Sequence, residues 1–386
     1  MDLDRARFLI SLAAARVLAD AETSLVGLSL HQRAAALRKE LPPADAAALS
    51  EQIDLRAHAA RRWEAPPGDW RFTRDGLEMA THPIVAARRA ARLAAHGLPV
   101  VDLTCGIGGD LAALASEAHT VLGVERDPAL ALLARHNTGA RAGVLVGDAV
   151  QPPVAPAGKL LFIDPARRAR GRRRFDPAAF TPNWDTCVAL LREAAGGCIK
   201  GPPGIAPEAL PPEAEVEFVQ LGRSLREAAI YTGCMARPGL RRAVLLPASD
   251  ELTSDEPEID AAASPIGAVI YDPASALTRA GLVRQLGHRL GAALVDPHLG
   301  YLTASSHVCT PFADAFEVLD VIPFSLARLK SHLRETARVP HEIRRRAFPI
   351  EPDDLRRQVG RLEGEPVTLL CTTIETRRVV IVGRHL

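Results

Sequence analysis

The sequence lacks any apolar run of the about 18 residues that a membrane-spanning helix needs. It also lacks an excess of one charge, with 47 Lys and Arg against 46 Asp and Glu, so no overall charge draws it to nucleic acid or membranes. Its six cysteines form no C-x-x-C pair, and no His pair has metal-ligand spacing. This cysteine usage is typical of reduced thiols in a cytoplasmic protein, and we expect no metal site.

Length and composition predict a folded chain of more than one domain. The 386 residues exceed one ordinary domain, and 47% hydrophobic with 24% charged residues is typical of globular proteins. Helical periodicity runs through residues 1–75, interrupted by Pro42-Pro43. We therefore expect an N-terminal helical region over residues 1–75.

Residues 76–249 show the alternation of short apolar runs with Ala- and Leu-rich segments that is typical of βαβ units. The apolar runs are Val100–Leu103, Thr120–Val124, Gly143–Val146, Leu160–Ile163 and Gly197–Ile199. Three further runs with only turns between them predict antiparallel last strands, at Glu215–Gln220, Glu227–Thr232 and Arg241–Leu246. The pattern predicts an α/β domain with a mainly parallel sheet and right-handed crossovers.

The remainder of the chain follows an acidic segment. Residues 250–260 hold six acidic and no basic residues, so we expect a linker or a solvated loop there. Beyond it, residues 262–386 predict an α+β domain, with a strand at Ile266–Ile270, a helix at Ala274–Leu290 and a β-hairpin near the end.

The segment Val100–Asp110 predicts a strand, a glycine-rich turn and a helix start. Glycines let the backbone approach a ligand closely, and a helix N-terminus offers unpaired N–H groups. The next strands end in Glu125, which could accept hydrogen bonds from ribose hydroxyls, and in Gly147-Asp148, which could accept from the amine of adenine. The fourth strand ends in Asp164-Pro165-Ala166-Arg167, in the crevice where open sheets bind ligands.

The turn is a poor match to a dinucleotide fingerprint. Leu111 stands where the third glycine of G-x-G-x-x-G is required, and Asp102 would repel a pyrophosphate. A carboxylate there suits the cationic amine and sulfonium of S-adenosylmethionine. We favour that cofactor, while a nicotinamide dinucleotide and a purely structural βαβ unit remain alternatives.

The order of these motifs resembles that of class I S-adenosylmethionine-dependent methyltransferases. More narrowly, the chain resembles a bacterial family of such enzymes with a C-terminal THUMP-like domain. The resemblance covers residues from about 80 to the end, and its motifs are Asp102–Asp110, Asp164–Arg168, Lys200–Ile205, Leu225–Ala228, Gly300–Thr303 and Glu342–Arg346. The first motif is also similar to that of cap trimethylguanosine synthases, which methylate an exocyclic amine.

The resemblance implies a Rossmann-like methyltransferase sheet and a cofactor site at its strand ends. We expect this site to consist of Thr81, Asp102, Thr104, Gly106, Gly108, Glu125, Asp148 and Asp164. Thr81 could alternatively be the N-cap of a helix. At the reacting centre we place Asp164, as acceptor of the proton or of a hydrogen bond from the nucleophile, together with Arg167.

The chain departs from two related motifs. Amino-methylating enzymes carry D/N-P-P-aromatic, whereas Ala166 and Arg167 stand here in place of the second proline and the aromatic residue. The D-P-P-R enzymes that methylate uridine at C5 use a Cys nucleophile followed by Asn-Pro. Cys198 is followed by Ile199-Lys200, so we interpret it as a buried strand residue.

Several residues predict an anionic substrate. Residues 165–174 contain six arginines, a residue type that donates two hydrogen bonds to phosphate. We expect substrate contacts from Arg168, Arg172, Arg173, Arg174 and Lys200, and base stacking by Trp184. Lys200 could instead pair with Asp164.

The C-terminal segment, residues 323–386, has thirteen basic and eight acidic residues. THUMP domains bind RNA, so the resemblance implies methyl transfer to a nucleotide of a structured RNA. Two alternatives stay open: a non-catalytic protein that binds the cofactor and RNA, and a methyltransferase for a protein or a small acidic substrate.

Overall fold

The computed structural model describes residues 1–25, 27–65, 68–167 and 180–386. The chain divides into two compact units. The first comprises Met1–Val216 and Glu227–Gly239, and the second comprises Glu217–Arg226 and Leu240–Leu386. The division into domains of 1–75, 76–249 and 262–386 stays a prediction.

The helices of the first unit begin where the sequence supplies caps. Ser11, Ser29 and Asp127 each accept a backbone hydrogen bond from the first turn that follows them, and Pro43 opens the longest of these helices. The helices are α1 (Leu3–Leu9), α2 (Leu12–Ser24), α3 (Leu30–Leu37), α4 (Pro43–Trp63), α5 (Arg74–Met79), α6 (Pro83–Ala94), α7 (Gly109–Glu117), α8 (Pro128–Thr138) and α9 (Trp184–Glu193). Single 3₁₀ turns follow at Gly139–Arg141 and Pro207–Ala209.

The strands of the first unit are β1 (Val100–Asp102), β2 (Val121–Glu125), β3 (Gly143–Val146), β4 (Leu160–Ile163), β5 (Ala166–Arg167), β6 (Phe180–Thr181) and β7 (Gly196–Gly201). Two further strands have residues in both units, β8 (Glu215–Leu221) and β9 (Ser224–Gly233). The sheet has the order β9-β7-β4-β1-β2-β3, with parallel pairing from β7 to β3 and an antiparallel β9. The predicted parallel sheet with an antiparallel close is confirmed.

Burial on both faces explains the continuous apolar runs of the central strands. All residues of β1 and β4 are buried, and Val100 and Phe162 share a core cluster with Leu93 of α6 and Leu111 of α7. In β1, β2 and β4 the polar side chains of the candidate site stand in the last strand residue or the turn that follows it, and this positions the site at the carboxyl ends of the strands.

The second unit is α+β, as predicted. Its strands are β10 (Arg241–Leu246), β11 (Asp250–Thr253), β12 (Val269–Pro273), β13 (Ala293–Leu294), β14 (Leu302–Ala304), β15 (Ala313–Pro323), β16 (Arg338–Arg346), β17 (Glu365–Ile374) and β18 (Arg377–His385). Its helices are α10 (Ser275–Ala280), α11 (Val283–Leu290), α12 (Leu326–Glu335) and α13 (Pro352–Val359). One sheet has the order β13-β14-β12-β15-β18-β17-β16, and β17 and β18 form the predicted hairpin.

Two predictions for this unit are wrong. The acidic segment is not wholly loop, because Asp250–Thr253 pairs with β10 as a strand. Two acidic residues that follow this strand pair with arginines of α11. Arg284 lies 3.0 Å from Glu258, and Arg289 lies 2.6 Å from Glu256. The helix predicted over Ala274–Leu290 is two helices, because Gly281 adopts a left-handed conformation (φ +68°) and ends α10.

The second unit also contains a group of paired arginines and acids, which we call the arginine cluster. Arg344 bridges three carboxylates, with Nη1 3.0 Å from Asp272 and 2.7 Å from Asp314 and with Nε 3.0 Å from Glu342. Arg346 binds the other oxygen of Asp272 at 2.7 Å. Including Arg223, which lies 2.9 Å from Asp314, the members are Arg223, Asp272, Asp314, Glu342, Arg344 and Arg346.

None of the helices in the described part of the chain combines the length and apolarity that crossing a bilayer requires. All six cysteines lie in described residues and are free thiols.

Candidate functional site

The turn between β1 and α7 has the shape that its glycines predict. Gly108 has φ +92°, and a Cβ atom there would lie 3.2 Å from Cα of Ala134, so a side chain would be strained and crowded against α8. The amide of Gly106 donates to Oε2 of Glu125 at 3.0 Å. The glycine turn and the end of β2 are therefore held together by a backbone-to-carboxylate hydrogen bond.

Asp102 ends β1 and has an unusual environment for a carboxyl group. Its side chain is 1% exposed, and Oδ1 accepts from the amide of Thr104 at 3.0 Å. Its buried Oδ2 receives no hydrogen bond from any described residue. Burial, followed by the negative charge of nearby Asp110, raises the pKa of Asp102 well above its ordinary value. A buried acceptor oxygen without a donor is costly unless a ligand supplies one.

Glu125 and Asp148 lie at the ends of β2 and β3. Oε1 of Glu125 accepts from the amide of Asp127 at 2.9 Å, so each oxygen already holds one backbone N–H. A carboxylate has about four lone-pair sites in total, so Glu125 can still accept hydroxyl donors. Asp148 is exposed, and its Oδ1 accepts from the amide of Val150 at 2.9 Å.

The ends of β1, β4 and β7 are joined by polar side chains. The amide of Asp164 donates to Oγ1 of Thr104 at 2.7 Å. Nζ of Lys200, in β7, donates to Oδ2 of Asp164 at 2.7 Å, which confirms the predicted alternative that these two residues pair. Both side chains are partly exposed, at 31% for Asp164 and 18% for Lys200. This ion pair can therefore meet a ligand.

Lys200 also connects this pair to the helices. Its Nζ donates to Oγ1 of Thr81 at 2.7 Å, and Thr81 donates to Oδ2 of Asp110 at 2.7 Å. Burial disfavours the ammonium, but the carboxylates of Asp164 and Asp110 outweigh burial and raise the pKa of Lys200. Thr81 is not an N-cap, because His82 accepts the capping hydrogen bond of α6.

Arg89 of α6 is the second cation beside these carboxylates. Its guanidinium is 3% exposed and pairs with Asp110 through Nη1 and with Glu227 through Nη2. It also lies 4.6 Å from the ring centroid of Phe162. Burial raises the pKa of Glu227, although Arg89 opposes the shift, and Arg89 holds the pKa of Asp110 below its ordinary value against the effect of burial.

These residues form what we call the inner charge cluster, whose members are Arg89, Asp102, Asp110, Asp164, Lys200 and Glu227. It holds four carboxyl groups and two cations, so it lacks two positive charges when every member is ionised. Such an excess of buried acid is satisfied either by protonation or by a bound cation. The cluster is thus chemically suited to a cationic ligand.

Thr81 is held in place from the N-terminal helices. Arg62, near the end of α4, donates to the carbonyl of Leu77 at 2.8 Å and to those of Glu78 and Ala80 at 3.1 Å. These carbonyls end α5, immediately before Thr81. The N-terminal helices therefore fix the backbone that presents Thr81 to Lys200.

Some predicted site residues are placed elsewhere or lie outside the described residues. Trp184 is 4% exposed and donates from Nε1 to the carbonyl of Ala209 at 2.8 Å, a placement that does not support base stacking. Cys198 is fully buried in β7, as expected. Arg167 belongs to β5, and its side chain is outside the described part. The predicted substrate contacts outside the described residues are Arg168, Arg172, Arg173 and Arg174.

Sequence reasoning missed Arg89, Asp110 and Glu227 as members of the site. One signal was present for Arg89, which lies on the apolar face of α6 between Val85 and Leu93. A basic residue on the buried stripe of an amphipathic helix requires a buried acidic partner. No comparable signal identifies Glu227, because its contact with Arg89 joins distant parts of the chain. Among the described residues, no group of three or more His, Cys, Asp or Glu could hold a metal ion.

The chain is similar to known proteins along most of its length. The family model described as THUMP domain-like matches residues 313–385. Two curated relatives, uncharacterized S-adenosylmethionine-dependent methyltransferases from Mycobacterium tuberculosis strains CDC 1551 and H37Rv, are each 36% identical over 312 residues, which is 79% of this chain and 85% of theirs. A crystal structure from Porphyromonas gingivalis W83, of a protein assigned as a methyltransferase, matches with a TM-score of 0.74. It is 21% identical, and the match covers 97% of this chain and 98% of that one, so it supports the fold.

Proposed function

The chain belongs to the family of S-adenosylmethionine-dependent methyltransferases that includes these mycobacterial relatives, and from this premise we propose that it methylates a nucleotide of a structured RNA. The observation that supports an RNA substrate is the THUMP domain-like match over residues 313–385. The basic surplus of residues 323–386 and the six arginines of residues 165–174 are consistent with binding a polyanion. We place the reaction in the cytoplasm, where free thiols persist.

The inner charge cluster fits the cofactor. S-adenosylmethionine supplies an electrophilic methyl group on a sulfonium and carries a cationic amine. Asp102 would accept from the amine through its unpaired Oδ2, and the acid excess of the cluster would be reduced by the positive charge of the ligand. Thr81 and Thr104 would orient the carboxylates and the ammonium that surround this position.

The nucleoside part of the cofactor would lie along the ends of β1, β2 and β3. Gly106 and Gly108 leave room for close approach, Glu125 would accept the ribose hydroxyls, and Asp148 would accept from the adenine amine. Asp164 would hold the acceptor group of the RNA, and Arg167 stays a candidate from the sequence.

Transfer of a labelled methyl group tests this proposal. The full chain is incubated with labelled S-adenosylmethionine and total RNA from cells that lack the gene, and the RNA and protein fractions are then counted separately. We expect label in RNA, reduced about 100- to 10,000-fold by Asp164→Ala. The exposed Asp185 of α9 offers a matched control, since Asp185→Ala should transfer normally. Label in protein alone, or in small acidic molecules, contradicts an RNA substrate.

The arginines of residues 172–174 can be tested by the salt dependence of RNA binding. Replacing Arg172, Arg173 and Arg174 together by Ala should reduce the slope of log affinity against log salt by about 2, if each contacts one phosphate of single-stranded RNA. An unchanged slope shows that these arginines make no phosphate contacts.

A further inference from the structure

We propose that the methyl acceptor is a hydroxyl oxygen, the 2′-hydroxyl of a ribose, and not a nitrogen of a base. The inference rests on the proposed function, because it takes RNA as the substrate. It follows from the placement of Asp164 and Lys200 side by side at the ends of the neighbouring strands β4 and β7, and from the burial of the described aromatic rings that flank Asp164 in sequence.

The ion pair offers both a proton acceptor and a free donor. An ammonium has three N–H groups, and within the described part of the chain Lys200 donates two of them, to Asp164 and Thr81. Among the described residues none donates to Oδ1 of Asp164, since the hydrogen bond from Lys200 goes to Oδ2. A hydroxyl placed here can donate to Asp164 and accept from Lys200 at the same time.

The charge of Lys200 discriminates between the two kinds of acceptor. A hydroxyl oxygen gains negative charge as its proton leaves, and a fixed ammonium beside it stabilises that charge. An exocyclic amine gains positive charge as it attacks a methyl group, and the same ammonium opposes it. Lys200 stays charged because Asp164, Asp110 and Glu227 surround it. The ammonium of Lys200 therefore favours an oxygen nucleophile over an amine.

The described aromatic residues that flank Asp164 in sequence do not offer a ring for stacking a base. Enzymes that act on a base stack it between aromatic or apolar side chains. Phe162, Phe180 and Trp184 flank Asp164 in sequence, and each is exposed by 5% or less. In the sequence, Ala166 replaces the second proline of the amino-methylating motif and Arg167 replaces its aromatic residue. A ribose hydroxyl can be presented without a stacked base.

The step balances with the residues present. A lone pair of the hydroxyl oxygen forms the O–C bond to the methyl carbon, and the C–S bond breaks with its electron pair remaining on sulfur. The hydroxyl proton passes to the carboxylate of Asp164, which is 31% exposed and can release it to water. The products are a methyl ether on the ribose, a neutral thioether and one proton.

The position of the label in the product tests the inference on the unaltered chain. RNA labelled as above is hydrolysed with alkali, which cannot cleave after a 2′-O-methylated nucleotide, and the nucleosides are analysed by mass spectrometry. We expect label in alkali-resistant dinucleotides and on the sugar fragment. Label on the base overturns this inference and leaves the RNA methyltransferase proposal standing. The absence of label from all RNA overturns both.

Variants of Lys200 test whether its positive charge stabilises the attacking oxygen. Lys200→Met should lower kcat about 100- to 1,000-fold, the usual effect of removing an oxyanion donor, and Lys200→Arg should restore part of the loss. KM for RNA should change little, and the calorimetric affinity for S-adenosylmethionine should not fall, because loss of a cation enlarges the acid excess of the inner charge cluster. Lys159, whose Nζ binds only backbone carbonyls at the opposite end of β4, provides the matched control Lys159→Met. Unchanged kcat in Lys200→Met overturns the inference, as does a loss that merely follows lower stability or cofactor affinity.

Discussion

The inner charge cluster of the first unit and the arginine cluster of the second unit use the same kinds of side chain, but they differ in charge balance. The arginine cluster has three arginines and three carboxylates, and both oxygens of Asp272 are occupied by arginines. The inner charge cluster has four carboxyl groups and two cations, and Oδ2 of Asp102 receives no hydrogen bond from described residues.

This difference distinguishes the arginine cluster, which we interpret as structural, from the inner charge cluster, which we propose as the binding site. A balanced and saturated network needs nothing further, so its role is to hold β12, β15 and β16 in place. An unbalanced buried network stores unfavourable free energy, which a ligand of opposite charge removes on binding. Charge balance therefore identifies the functional cluster more directly than the number of ion pairs.

The largest effect is expected from breaking the inner charge cluster at its centre. Arg89→Met leaves Asp110 and Glu227 without their partner in a buried environment, so the free energy of unfolding should fall by about 3–5 kcal/mol. Urea unfolding of the full chain measures this loss. A change below about 1 kcal/mol would mean that solvent reaches these carboxylates, contrary to their burial.

Replacing the carboxylate of Asp102 should weaken cofactor binding without lowering the free energy of unfolding. Asp102→Asn should weaken S-adenosylmethionine binding by about 1.5–3 kcal/mol, or about 10- to 150-fold, because a hydrogen bond to a charged group is lost. The free energy of unfolding without cofactor should stay equal or rise, since an unsatisfied acid is removed. Calorimetry and urea unfolding measure the two quantities. Unchanged cofactor affinity would refute the role of Asp102, and Asp272→Asn is the control for affinity.

For the arginine cluster we expect the reverse of Asp102→Asn, namely lower stability with unaltered cofactor affinity. Arg344→Met should lower the free energy of unfolding by about 1–3 kcal/mol, less than Arg89→Met, because its side chain is 14% exposed and water can reach the freed carboxylates. S-adenosylmethionine affinity should be unaltered. If Arg344→Met instead weakens cofactor binding, the arginine cluster is not merely structural.

The last expected effect is a dependence of stability on pH that arises from Asp102 of the inner charge cluster. The folded-state pKa of Asp102 is raised, so the folded chain binds a proton that the unfolded chain releases near pH 4. This contribution to stability is complete below the unfolded pKa and is lost as pH rises through the folded pKa. The stability of the cofactor-free chain should therefore fall with rising pH relative to that of Asp102→Asn. Parallel curves of the free energy of unfolding against pH for the two chains would contradict the raised pKa of Asp102.

Much of the fold could be predicted because its signals are local. The strand runs of the first unit, the helix break at Pro42-Pro43 and the final hairpin each occupy one short segment. The split of Ala274–Leu290 was missed, because one glycine within a helical pattern does not show by itself that the chain adopts a left-handed turn. Strand β11 was missed because the acidic residues of 250–260 gave a loop pattern, whereas Glu251 of β11 pairs with Arg242 of β10 and Glu256 pairs with Arg289, which is distant in sequence.

Part of the candidate site could also be predicted from local signals in the sequence. Asp102, Glu125, Asp148 and Asp164 follow strands directly, and residues in that position meet at one edge of a parallel sheet. The pairing of Asp164 with Lys200 could also be anticipated, since β4 and β7 are adjacent. The contact of Arg89 with Glu227 depends on how α6 packs against β9, and no local pattern gives that information.

The three carbonyl contacts of Arg62 connect the N-terminal helices to the backbone that presents Thr81 to the candidate site. A shortened chain that began at α5 would keep the parallel strands and Thr81 but lose Arg62, which anchors the backbone before Thr81, and Thr81 is one of the two acceptors that hold the Lys200 ammonium. Such a fragment would also uncover Ile107, Ala129 and Leu133, which share a core cluster with Leu55 and Trp63 of α4. In engineering this enzyme, the first 65 residues should therefore be retained with the catalytic half.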